Sequence, residues 1–351
     1  MLSETLTLLA GLALLVGGAE LLVRGASRLA IAAGVSPLVI GLTVVAYGTS
    51  APEMAVSLLA TVHGQPDVAV GNVVGSNIFN VLVILGISAL IAPLAVSAQL
   101  VRLDVPVMVV VSVLLLPIAR DGDISPLEGG LMLLALVVYT VYIVRQGRRE
   151  TAQGPVVERP GRRGIVIDIG RVLIGLTLLV VGSRLLVEAA ITIARDLGVS
   201  ELVIGLTLVA AGTSLPELAT SVLAAIRGER DIAVGNVVGS NIFNIIAILG
   251  VSALAGQGEV TISAAALRFD IPVMIGVALL CLPIFFAHRR ISRLAGALFV
   301  SYYGCYATYL ILAAAQHDAL PAFSNVMLLF VLPGTIAGVL FSAFRGLQQP
   351  R

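Results

Sequence analysis

The sequence predicts an all-α polytopic membrane protein built as two inverted five-helix repeats, with ten core spans and an eleventh near the C-terminal end. Three observations predict it. The 351 residues are 58% hydrophobic and only 12% charged, with a mean hydropathy of +1.07; a soluble domain carries about 25% charged residues. Apolar runs of about 20 residues recur along the chain without the polar alternation of barrel strands. The chain also repeats itself at an offset of 164 residues: 14 of 20 positions match between 41–60 and 205–224, and Gly71–Asn80 is identical to Gly235–Asn244.

The first half, 1–144, holds apolar runs near 5–24, 33–62, 68–92, 103–119 and 126–144. The first run follows Glu4 rather than a basic cluster, and it has a counterpart around Gly182–Val187, so it is expected to be a span and not a cleaved signal. An Arg-, Gly- and Pro-rich linker is expected over 145–166. The second half, 167–314, holds runs near 168–190, 199–226, 232–255, 267–287 and 293–314. Residues 315–351 form an extension in which 320–344, despite Pro333-Gly334, reads as an eleventh span.

Five spans per half is an odd number, so the second copy must enter the membrane from the opposite side. That is the inverted-repeat pattern of many secondary transporters. Placing the N-terminus outside puts Arg24, Arg28, Arg102, the linker arginines, Arg227, Arg230, Arg289, Arg290 and Arg293 on the cytoplasmic side, leaving Arg120, Arg195 and Arg268 outside. The excess of inside arginines favours that orientation. A multi-pass protein of the cell (plasma or inner) membrane is expected, with a cytoplasmic linker and the lipid bilayer as its surroundings. Nothing in the charge balance calls for nucleic acid, a protein partner or a cofactor. Cys281 and Cys305 lie within apolar runs, where small buried hydrophobes are commoner than disulfides.

The chemistry sits in the repeated stretch. Glu53 and Glu217 fall mid-span, within Gly-Thr-Ser-x-Pro-Glu. A carboxylate at the bilayer centre costs about 2.5–3.5 kcal/mol on the insertion scale, and such residues mark ion or proton paths. Pro52 lacks an N–H and breaks the helix, which predicts freed carbonyls at Ala46 and Tyr47, and at Ala210 and Ala211. Broken backbone at membrane depth is tolerated where it lines a cavity. Four-residue spacing places Thr49, Glu53 and Ser57 on one face, and likewise Thr213, Glu217 and Ser221. Ser76 shares a face with Asn80, and Ser240 with Asn244. Asn77 and Asn241 are candidates for the cavity wall, whereas capping or helix contact explains Asn72 and Asn236 equally well.

A single Gly-x-x-x-Gly or a hydroxyl in a span is usually packing. Two copies of the whole constellation in inverted halves point to an ion site. The donors are all oxygen, which suits hard cations such as Ca2+ and not soft metals. Two carboxylates balance one divalent or two monovalent cations, so exchange can occur at one site.

At these motifs the chain resembles the cation/Ca2+ exchanger superfamily, specifically prokaryotic sodium/calcium exchangers, over roughly 5–314. The resemblance implies ion sites between the second, third, seventh and eighth helices. It implies Na+ and Ca2+ as transported ions, electrogenic antiport by alternating access with Ca2+ export, and sliding of the first and sixth helices. It implies ligands at Glu53, Glu217, Thr49, Ser50, Thr213, Ser214, Ser76 and Ser240, at the carbonyls of Ala46 and Ala210, and at the amides of Asn80 and Asn244. Some relatives carry Asp where this chain has Asn244, which makes a K+ requirement less expected here. Proton/Ca2+ antiport is the alternative, because the two glutamates alone would serve protons. An intramembrane protease is a remote one: such enzymes pair two aspartates in dissimilar motifs, whereas these glutamates sit in matching ones.

Overall fold

The computed structural model describes residues 2–152, 161–198, 204, 210–256, 260–335 and 337–338. The chain folds as a helical membrane protein. Its helices are α1 (Leu2–Ala33), α2 (Pro37–Thr49), α3 (Ala51–Val62), α4 (Pro66–Ile91), α5 (Leu100–Asp121) and α6 (Pro126–Ala152) in the first half. The second half holds α7 (Arg162–Asp196), a turn at Ala210–Gly212, α8 (Leu215–Ile226), α9 (Arg230–Ala255), α10 (Ala266–Phe286) and α11 (Arg293–Ala314). An apolar helix α12 (Leu320–Thr335) follows.

Among the described residues eight helices are long and apolar enough to cross a membrane, nine when the bent pair α2–α3 is one span. The seventh expected span, 199–226, is described at Ile204 and from Ala210 onward, and the rest lies outside the described residues. Helix α12 covers the first part of the expected eleventh span; 339–344 lies outside the described residues. Within the linker expected over 145–166, residues 153–160 lie outside the described residues, and the flanks are helical. Helix α6 continues to Ala152 and α7 begins at Arg162, because Arg and Glu are good helix formers once clear of the bilayer.

Glycine contacts between α1 and α7 show the inversion directly. A Cβ added at Gly18 would lie 2.8 Å from the Gly175 carbonyl oxygen, and one at Gly11 would lie 2.9 Å from that of Gly182. In the repeat numbering Gly11 corresponds to Gly175 and Gly18 to Gly182. Each glycine therefore meets the counterpart of the other, so the two equivalent helices run antiparallel about a pseudo-two-fold axis. Only residues without a side chain permit this approach, the close packing that small residues give membrane helices.

Two short antiparallel sheets obey the same symmetry. Leu94–Ala95 pairs with Arg290–Ile291, and Asp123–Ile124 pairs with Val260–Thr261. Each ties the end of one half to the other. Two acid–tyrosine contacts also match: Tyr139 donates to Asp104 and Tyr306 to Asp270, both at 3.0 Å. Each fastens the fourth span of its half to the fifth. The most deeply buried spans are α4 and α9, so these two helices form the centre of the molecule.

Cys281 is buried, Cys305 is half-buried, and both are free thiols. Glu20 pairs locally, with Arg24 on its own helix and with Arg227 at 2.9 Å, and Ser27 donates to Glu229 at 3.0 Å. The carboxylate of Glu20, part-way along α1, is thereby matched by two arginines, as a charge within an apolar helix requires.

Candidate functional site

The second span breaks at Ser50. Its φ of −80° and ψ of 7° leave the helical region, and α2 and α3 meet at a 45° bend. Pro52 occupies the first turn of α3, where its missing N–H is tolerated. The counterpart Ser214 has φ −89° and ψ 7°, with Pro216 at the same place in α8. Wider π-helical turns at Gly41–Val45, Asn80–Leu85 and Asn244–Ile248 adjoin the motifs; such turns gather at functional sites.

The breaks aim the hydroxyls of each half at the other half's carboxylate. Ser50 Oγ donates to Glu217 Oε1 at 2.8 Å, and Ser214 Oγ donates to Glu53 Oε1 at 2.9 Å. Ser214 Oγ also lies 3.2 Å from Ser76 Oγ. Thr49 Oγ1 donates to Asn236 Oδ1 at 3.1 Å, and Thr213 Oγ1 to Asn72 Oδ1 at 3.4 Å. Ser240 Oγ reaches the Ala46 carbonyl at 3.4 Å. Thr49, Ser50, Glu53, Ser76, Asn80, Ser214, Glu217, Ser240 and Asn244 are all buried, and Thr213 is half-buried. Ala210 enters the description through its backbone only, at the start of the turn before Ser214.

Two details depart from the sequence expectations. The Ala46 carbonyl is not freed by Pro52: it accepts the Ser50 N–H at 3.0 Å, because the helix holds its bond up to the break and loosens after it. Its second lone pair joins the cluster through Ser240. Nor do Thr49, Glu53 and Ser57 act as one row, because the bend at Ser50 separates Thr49 from the other two. Thr49 bonds the carbonyl of Val45 and the side chain of Asn236 instead.

Asn72 and Asn236, ambiguous by sequence, brace the broken helices. Asn72 Nδ2 donates to Glu53 O at 3.1 Å and to Ser57 Oγ at 2.9 Å; Asn236 Nδ2 reaches Glu217 O at 3.4 Å and Ser221 Oγ at 2.9 Å. The nineteen-residue spacing between each Glu and its Asn appears in both repeats and was the available signal. Asn236→Ala is expected to lower stability by about 1–3 kcal/mol, since it strands buried polar partners. Thermal melting of the purified protein checks this.

Four buried oxygens in the cluster have no hydrogen-bond partner among the described residues: Glu53 Oε2, Glu217 Oε2, Asn80 Oδ1 and Asn244 Oδ1. Each is an acceptor, two come from carboxylates, and they occur as two symmetry-related pairs. Buried polar atoms are ordinarily satisfied. Acceptors without donors, with hydroxyl and carbonyl oxygens in the same cluster, have the donor chemistry that suits a hard cation.

A family model described as sodium/calcium exchanger protein matches residues 3–145 and 167–312. The chain belongs to the sodium/calcium exchanger family. The two matched segments correspond to the two repeats, and α12 lies beyond them. Among similar proteins, the inner membrane protein YrbG of Escherichia coli is 41% identical over 290 residues, covering 80% of this chain and 89% of YrbG. The sodium/calcium exchanger MaX1 of Methanosarcina acetivorans is 34% identical over 336 residues, covering 85% and 95%. Solved structures of the sodium-calcium exchanger NCX_Mj superimpose with a TM-score of 0.75 at 34% identity, covering 89% of this chain and 98% of that one. This exchanger-family chain is thus a multi-pass membrane antiporter and not an enzyme.

Proposed function

We propose that the protein exchanges Na+ for Ca2+ by alternating access and exports Ca2+ from the cytoplasm, with its N-terminus outside. The observation that carries this is the set of four buried acceptor oxygens, from Glu53, Glu217, Asn80 and Asn244, that have no partner among the described residues. The remaining site groups, Thr49, Ser50, Thr213, Ser214, Ser76, Ser240 and the carbonyls of Ala46 and Ala210, supply further oxygens. Ca2+ takes 6–8 oxygens in flexible geometry, and so dense a set of neutral oxygens also suits Na+. Protons would need the carboxylates alone.

The two glutamates carry a formal −2 when ionised. One Ca2+ or two Na+ neutralise them, and either cargo lets the loaded protein reorient. Without a cation, uncompensated charge stays buried and movement is disfavoured, which makes exchange obligatory.

The deciding measurement is 45Ca uptake into proteoliposomes holding the full chain. An outward Na+ gradient at equal pH on both sides is expected to drive uptake, and external Na+ to compete with it. Uptake driven by a pH difference and indifferent to Na+ would establish proton/Ca2+ antiport instead. Loss of loaded Ca2+ at full rate with no cation on the opposite side would overturn the exchange mechanism.

A further inference from the structure

We propose that Asn77 and Asn241 are positioning residues that set which way the side-chain amides of Asn80 and Asn244 face. The inference deepens the cation-binding reading above and rests on it.

The argument is one of donors and acceptors. Asn77 Nδ2 lies 3.1 Å from the backbone carbonyl of Asn241, and Asn241 Nδ2 lies 3.2 Å from that of Asn77. A backbone carbonyl only accepts, so each of these amides must present its NH2 group there. The same Nδ2 atoms lie 3.7 Å from sulfur acceptors, Met274 Sδ for Asn77 and Met108 Sδ for Asn241. Their oxygens are therefore committed to the opposite direction. There, Asn77 Oδ1 accepts from Asn244 Nδ2 at 3.1 Å, and Asn241 Oδ1 accepts from Asn80 Nδ2 at 3.0 Å.

That contact removes the remaining freedom. Asn244 must turn its NH2 toward Asn77 and Asn80 its NH2 toward Asn241, so each turns its oxygen away. Those two oxygens, Asn244 Oδ1 and Asn80 Oδ1, are among the four buried acceptors without a partner. All four asparagines are buried, so water does not compete for these bonds. A reversed amide would offer NH2 to a cation and repel it. The relay begins at a backbone carbonyl, the one acceptor in the set that cannot flip.

Asp at 244 has no amide to orient, since both of its oxygens are equivalent. It would, however, set an acceptor against the oxygen of Asn77. The two positions should therefore be coupled with a definite sign. In proteoliposomes holding the full chain, Ca2+ exchange is measured as a function of Ca2+ concentration. Asn77→Ala is expected to raise KM for Ca2+ about tenfold, the cost of one lost buried hydrogen bond and a misoriented ligand, with kcat little changed. Asn244→Asp alone is expected to impair exchange. The double variant Asn77→Ala/Asn244→Asp is expected to have a lower KM than either single variant, because removing Asn77 removes the facing oxygen.

A residue that only filled space would show no such rescue. Asn241→Ala paired with Asn80→Asp supplies the same test across the axis and serves if Asn77→Ala fails to fold. A wild-type KM in Asn77→Ala, or double variants no better than the singles in folding or KM, would overturn the inference. Absence of Ca2+ exchange in wild-type vesicles would overturn the reading beneath it, which keeps the two failures distinct.

Discussion

Glu53→Gln is expected to abolish cation exchange while leaving the protein folded. The carboxylate is about 1% exposed, and one of its oxygens is held by Ser214 while the other has no partner among the described residues. Gln keeps the shape and one acceptor but removes the charge that a Ca2+ ion meets. Breaking a buried charge pair costs about 3–5 kcal/mol, which converts to a ~10²–10⁴-fold loss of affinity. The apoprotein loses nothing comparable, because a neutral side chain is cheaper to bury than a charged one. The variant should therefore melt at or above the wild-type temperature without Ca2+ and lose the Ca2+-induced rise in melting temperature, as linkage requires. Glu217→Gln should behave alike, since Ser50 holds it in the same way. Paired 45Ca uptake and melting curves would show both effects, and a Glu53→Gln protein that still exchanges Ca2+ at wild-type KM would refute the site.

The second large effect is expected at the seam between α1 and α7. Gly18 and Gly175 face one another across it, and a Cβ on either would lie 2.8 Å from the other's carbonyl oxygen. That is closer than carbon and oxygen can pack, and the obstacle is backbone rather than a side chain that can swing aside. Gly175→Val must push the helices apart, at a cost of about 1–3 kcal/mol for overpacking. Gly18→Val should cost a similar amount. The two substitutions touch the same place, so their combination should depart from additivity. Because this pair of helices carries the expected sliding motion, the exchange rate should fall more than the melting temperature suggests. Gly17, which meets no described atom within 4 Å, provides the contrast: Gly17→Ala should leave both measurements close to wild type.

Much of this was legible in the residues. The identity of Gly71–Asn80 with Gly235–Asn244 announced a repeat, and the odd count of spans turned the second copy over. A carboxylate beside proline within an apolar run marked the candidate site. Pairing across the halves was not legible. Helical spacing groups Ser50 with its own Glu53, but a hydrogen bond between residues 167 apart depends on how two helices cross. The state of the Ala46 carbonyl was equally hidden, since proline identifies a broken helix more reliably than the residue at which bonding lapses. The helical flanks of the linker were not legible, because arginine-rich ends look like loops in composition while continuing a helix. Asn72 was ambiguous because its partners, the backbone of Glu53 and the hydroxyl of Ser57, lie on another helix.

The reciprocal bonds from Ser50 to Glu217 and from Ser214 to Glu53 bear on how the chain can be divided. Each five-span unit holds one carboxylate and the hydroxyl that serves the other, so neither fragment owns a complete receptor. Cutting the backbone between Ala152 and Arg162 should yield two polypeptides that are inert when expressed separately and active when co-expressed. A fragment able to insert in both orientations could in principle complement itself, with one copy upright and its twin inverted. The covalent join then acts chiefly as a stoichiometric device, guaranteeing one unit of each orientation in every transporter.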